Sequence, residues 1–135
     1  HRVWVSPGCI GGATHRGHND TLYHGSHTRL TIGHEGQCFT DDADCAETYA
    51  GGRGVFMSVE IDLDSLTVEE CDGYDRDTNE APADSAEFRA AAAARGVDIL
   101  VYDDESESGR QHTCWRIVSA RAMADVVATA VIIAD

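Results

Sequence analysis

The stretch Leu22-Tyr23-His24-Gly25-Ser26 sets a histidine inside an apolar run and follows it at once with glycine. Further on, Cys38-Phe39-Thr40-Asp41-Asp42-Ala43-Asp44-Cys45-Ala46-Glu47-Thr48-Tyr49-Ala50 reads as a strand end, an Asp-rich cap and a short helix closing on a tyrosine. A strand-borne His-Gly and a helix-borne tyrosine are what a site needs to clamp a flat, amide-bearing ring. The glycine lets backbone N–H and C=O approach the amide, the tyrosine face stacks, and the histidine donates to a ribose hydroxyl. His1, His15, His18 and His34 read as exposed loop residues, whereas His24 lies within a strand pattern, where a buried imidazole needs a partner. The pairs His15/His18 and His24/His27 fall on no helix, and no cysteine or carboxylate completes a set, so no metal is expected.

Together these segments resemble the ADP-ribosyltransferase fold, in its diphtheria-toxin-like or poly(ADP-ribose)-polymerase-like branch with a His…Tyr…Glu signature. Tyr23, His24, Gly25 and Ser26 match the family's first motif, and the ten-residue interval from Phe39 to Tyr49 matches its second. Gly51 to Leu63 is similar to the family's central strand. Arg95 to Tyr102 and Cys114 to Ser119 look like the closing strands of small phage-associated members, so the resemblance spans roughly residues 20 to 120. It implies NAD as cofactor, with His24 on a ribose hydroxyl, Gly25 and Ser26 beside the carboxamide, and Phe39 and Tyr49 enclosing the nicotinamide. Two features depart from the family. Ala46 stands where a serine would bond the amide, and Cys38 stands where a second aromatic would stack, which predicts a looser pocket.

The family's third element is a glutamate at the start of the closing strand, where it polarises the ribose 2′-hydroxyl. Laying Trp115-Arg116-Ile117-Val118 over that strand puts Cys114 in the glutamate position, with His112 on the same strand face. Gln111 or His112 would then supply a hydrogen bond, Glu105 or Glu107 would fold in from the preceding loop, or activity would be lost. Loss of a positioned charge-stabilising group removes orders of magnitude in rate, so polymer formation is not expected. The resemblance therefore implies a mono-ADP-ribosyltransferase of toxin or phage-effector type, or an inactive module binding NAD, ADP-ribose or a protein. An RNA 2′-phosphotransferase of the same fold would need several arginines converging on phosphate, and a chain of net charge −14 with one arginine near each motif fits that poorly.

The elements that must position these residues follow from periodicity. Strands are expected near 20–24, 28–32, 36–40, 54–63, 97–103, 113–118 and 126–133, and helices near 42–50, 84–95 and 119–124. Asp41 or Asp42 would cap the first helix and Asp84-Ser85 the second, which Gly96 would end. Residues 65–83 read as an acidic surface loop and 103–110 as a polar one. The pattern fits an α+β domain of two small packed β-sheets, forming a cleft, with two or three short helices.

At 135 residues the chain is one domain with one sizeable core. It opens at His1 without methionine, which reads as a piece of something longer. No window is long and apolar enough to span a bilayer, and no basic-then-apolar leader precedes the domain. With 24 acidic against 10 basic residues the net charge is −14, which argues against nucleic acid and anionic membranes as partners. A protein acceptor suits this charge better, as do plain solubility and salt adaptation. Five cysteines without a Cys-x-x-Cys read as reduced thiols in a cytoplasmic protein, with secretion left open.

Overall fold

In a computed structural model, residues 19–26, 32–51, 54–105 and 111–134 are described. The first helix begins where a carboxylate can serve it: Asp42 Oδ1 accepts from the Asp44 and Cys45 N–H groups at 3.0 and 3.2 Å. This satisfies donors that lie too early to find partners within the helix. The second helix starts at Ser85, whose hydroxyl accepts from Phe88 N–H. It ends in a Schellman turn, with Gly96 at φ 91° and bonds from Gly96 N–H to Ala93 O and Val97 N–H to Ala92 O.

In chain order the described elements are β1 (Asn19–Ser26), β2 (Cys38–Thr40), α1 (Ala43–Ala50), β3 (Val55–Asp62), β4 (Val68–Glu70), a 3-10 turn (Pro82–Asp84), α2 (Ala86–Ala94), β5 (Ile99–Glu105), β6 (Gln111–Ile117), α3 (Ala120–Thr129) and β7 (Val131–Ala134). The class is α+β, as the pattern implied. The strands form one seven-stranded ladder in the order β4-β5-β6-β2-β1-β3-β7, where two separate sheets were expected. The physical reason is β2: it pairs with β6 from Cys38 to Thr40 and with β1 through Tyr23↔Thr40. That one registered pair joins two half-sheets, and beyond it the strands part.

Alternation along the strands sorts side chains to two faces. On one face Leu22, Phe39, Val59, Ile99, Val101, Trp115 and Ile117 form the main core under Ala122 and Val126 of α3. On the other, α2 covers Leu100, Tyr102, Cys114 and Val118, while α1 sits over Phe56 through Ala46 and Ala50. Between α1 and α2 that second face stays open over the junction of the half-sheets.

Several expected boundaries move. Helix α3 runs to Thr129, so Val126 lies in the helix rather than in a strand, because Ala122 and Val126 bury one helical face. The acidic stretch 65–83 contains β4, paired in parallel with β5, and β5 extends through Asp104 to Glu105 into what reads as loop. The strand expected at 28–32 falls almost wholly outside the described residues, and Ile32 itself lies in a turn.

Candidate functional site at the sheet junction

A cavity of about 520 Å³ opens on the uncovered face at the junction. Its floor is the sheet itself, where Cys38, Thr40, Tyr102, Asp104, His112, Cys114 and Arg116 all point to one side. Helix α1 makes one wall, with Cys45, Ala46 and Tyr49. The 73–84 segment makes the other, with Tyr74, Glu80 and Asp84. Tyr23, His24 and Gly25 reach it from β1 at the point where β1 and β2 separate.

His24 bridges that separation. Its Nδ1 lies 2.5 Å from Cys38 O, taking the place of a ladder bond, and its ring leans on Phe39 at 5.5 Å between centroids. Burial pushes its pKa below the ordinary 6.5, partly opposed by the bond to Cys38. The ring is therefore neutral near pH 7, with Nδ1–H donating to the carbonyl. Nε2 is then an acceptor, and it is buried with no protein partner. From sequence His24 is expected to donate; in this tautomer its Nε2 can only accept.

Gly25 is fixed by packing. A Cβ there would lie 1.7 Å from Ala46 O, so only glycine lets α1 rest directly on β1. Tyr49 lines the cavity from the end of α1 and is 56% exposed, so a ring face is accessible there. Phe39 also borders the cavity but is 1% exposed and belongs to the main core. It supports the His24 ring more than it offers a stacking face. Ser26, at the end of β1, and Gln111, the exposed first residue of β6, are not among the residues lining the cavity. The strand geometry accounts for this: Ser26 pairs with Val55 and Gln111 with Glu105, both past the open floor.

His112 and Cys114 do reach the floor, two residues apart on β6. His112 Nδ1 is 3.0 Å from Thr40 Oγ1, and Cys114 Sγ is 3.8 Å from the same nitrogen. Sequence reasoning missed Asp104. It pairs across β5–β6 with His112, and its Oδ2 lies 3.5 Å from Cys114 Sγ and 3.9 Å from His112 Nε2. The Glu105 side chain and Glu107 lie outside the described residues, as do His1, His15, His18 and His27. The signal for Asp104 was present as His112-x-Cys114, one strand face at period two, but it needs the β5–β6 register to acquire its carboxylate.

Arg116 and Tyr102 form the deep end. The Arg116 guanidinium donates to Gly36 O at 3.0 Å and to Tyr102 Oη at 3.0 Å, and pairs with Asp84. This ties β6 to β5, to the turn before β2 and to the 3-10 turn. Burial pushes the Tyr102 phenol well above its ordinary value, with the neighbouring Cys38 adding to the shift. The Cys38 and Cys114 thiols titrate as a pair. The contact with Cys114 holds Cys38 below its ordinary range against burial, with Arg116 assisting, while the same contact and burial push Cys114 up.

The group Asp104, His112 and Cys114 offers one oxygen, one nitrogen and one sulfur, all within 4.8 Å of one another. No metal was expected from sequence, and the histidine pairs weighed there take no part in this group. No protein-family model, curated protein or solved structure matches the chain. Among the described residues no helix is long and apolar enough to cross a membrane.

Proposed function

We propose that the chain is an NAD-dependent mono-ADP-ribosyltransferase that cleaves the nicotinamide N-glycosidic bond. The observation that carries this reading is that His24, Gly25 and Tyr49, from β1 and the end of α1, border one cavity of about 520 Å³. That volume suits a nucleotide-sized ligand. Tyr49 stacks on the nicotinamide, and His24 Nε2 accepts from a ribose hydroxyl. Asp104 takes the part of the family glutamate from the neighbouring strand, within reach of Cys114 at 3.5 Å.

The chemistry asks little covalent work of the protein. As the glycosidic bond breaks, its electron pair returns to the pyridinium nitrogen and neutralises it. The ribose carbon becomes cationic and is captured by the acceptor's nucleophile, whose proton leaves to solvent. Positive charge develops on the ribose, so a carboxylate beside it favours the transition state over the ground state. Orientation by His24 and Tyr49 supplies the remainder. The net charge of −14 favours a protein over a nucleic acid as acceptor.

Incubation with labelled NAD and a cell lysate tests this reading. Release of free nicotinamide with label on a macromolecule is expected, and neither product would sink it. Asp104→Asn should lower nicotinamide release about 100-fold or more with NAD affinity little changed. A second reading, a non-catalytic binding module, is favoured by the lining itself, which among the described residues carries Asp104, Glu80 and Asp84 with Arg116. Calorimetric binding of NAD without turnover supports that alternative.

A further inference from the structure

We propose that Asp104, His112 and Cys114 form a binding site for a divalent transition metal of zinc's kind, with the fourth position open to the cavity. Zinc takes tetrahedral sets of thiolate, imidazole and carboxylate, with bonds of about 2.0–2.3 Å that set its donors roughly 3.3–3.8 Å apart. Here Asp104 Oδ2 is 3.5 Å from Cys114 Sγ and 3.9 Å from His112 Nε2, and Cys114 Sγ is 3.8 Å from His112 Nδ1. One ring nitrogen would have to meet both neighbours, and with that choice the three ligand atoms lie within 4.8 Å of one another, so an ion among them draws them together.

The scaffold is rigid where the site needs it. Asp104 faces His112 across the β5–β6 ladder, and Cys114 faces Thr40 across β6–β2, so all three donors come from hydrogen-bonded strands. Thr40 Oγ1 sits 3.0 Å from His112 Nδ1, a partner that fixes the ring and leaves Nε2, on the Asp104 side, as the ligating nitrogen. The mixture of soft sulfur and borderline nitrogen selects against Mg²⁺ and Ca²⁺, which take oxygen ligands. The cavity gives the ion a path in and leaves room for an exchangeable ligand. This site does not depend on whether the cavity takes NAD. Where it does, the ion would compete with the carboxylate's role at the cationic ribose, so zinc would inhibit.

The test uses the full chain, freed of any affinity tag and kept reduced without thiols, titrated with Co²⁺ and then Zn²⁺, with no NAD present. Tetrahedral visible bands and a sulfur-to-cobalt charge-transfer band are expected, saturating at one equivalent and bleached by Zn²⁺. Cys114→Ser should diminish the charge-transfer band, and Asp104→Asn should preserve it while weakening Zn²⁺ at least about tenfold by chelator competition. Asp104 is partly exposed, so that variant keeps the test decisive even where Cys114→Ser fails to fold. Cys71→Ser, outside the cavity lining, should change nothing. A folded wild-type chain without the charge-transfer band overturns the proposal. So does a band that survives both Cys114→Ser and His112→Ala, or Zn²⁺ affinity indifferent to Asp104→Asn.

Discussion

At the residue scale, His24 has one nitrogen committed and one buried without a protein partner, which is costly unless something else meets it. If that something is a ribose hydroxyl, His24→Ala should weaken NAD binding by about 1–3 kcal/mol in calorimetry. Unchanged affinity with a lower melting temperature would make it a packing residue alone. Its pKa is depressed by burial from 6.5, so the unfolded chain binds the proton more readily than the folded one. Stability from this group is fully present above pH 6.5 and is lost as pH falls through the folded-state value. The loss of stability in mild acid should therefore be shallower in His24→Gln, measured by denaturant midpoints between about pH 7 and 5. Tyr49 makes a separable prediction. Stacking uses the ring face, so Tyr49→Phe should bind NAD nearly as wild type, while Tyr49→Ala should lose about 0.5–1.5 kcal/mol beyond buried area. Equal effects from the two substitutions would assign its role to the hydroxyl.

At the scale of elements, the contact of α1 with β1 holds the two motif segments together. It depends on Gly25, where an added Cβ would lie 1.7 Å from the Ala46 carbonyl oxygen, a backbone atom that cannot swing away. Gly25→Ala should cost about 2–4 kcal/mol by thermal or chemical denaturation, through overpacking and displacement of α1. A loss under 1 kcal/mol would mean that the helix lifts freely. Both partners of this contact were legible, since Asp42 and Tyr49 bound a short helix and His24-Gly25 ends a strand pattern. The ends of α2 were legible too, because a serine cap and a C′ glycine are local chemistry. Strand β4 was not. Val68-Glu69-Glu70 buries one apolar side chain, and its pairing is parallel to a strand some thirty residues on. Asp104 was missed for the same reason: its partners His112 and Cys114 are set by cross-strand register, which no local pattern carries. Helix α3 ran past its expected end because Val126 fills a core position four residues after Ala122, a tertiary demand that overrides β-branched preference.

At the scale of the molecule, one ladder does the work of two sheets, and the cavity exists because its halves meet at a single registered pair and diverge beyond it. Burying the opposite face under α3 holds the halves together while leaving the junction accessible on the α1–α2 side. That arrangement carries 24 carboxylates against 10 basic side chains, and the net charge of −14 has a thermodynamic consequence. Among the described residues Glu35, Glu69, Asp84 and Asp98 are held by arginines, with Asp98 buried and also bonded to Ser119 Oγ and Thr67 N–H. Repulsion within this excess of negative charge disfavours the compact state and acts over distances that salt screens, since the Debye length falls from about 30 Å at 0.01 M to about 3 Å at 1 M. Screening also weakens exposed ion pairs, but each of those contributes at most about 1 kcal/mol. The excess of one sign should win. Raising NaCl from about 0.01 M to 0.5 M at pH 7 should raise the melting temperature by roughly 3–5 °C, equivalent to about 1 kcal/mol for a chain of this size. KCl should match NaCl, because screening is indifferent to the monovalent cation. A melting temperature that falls with salt would mean that arginine–carboxylate pairing, not net repulsion, governs the electrostatics of this fold.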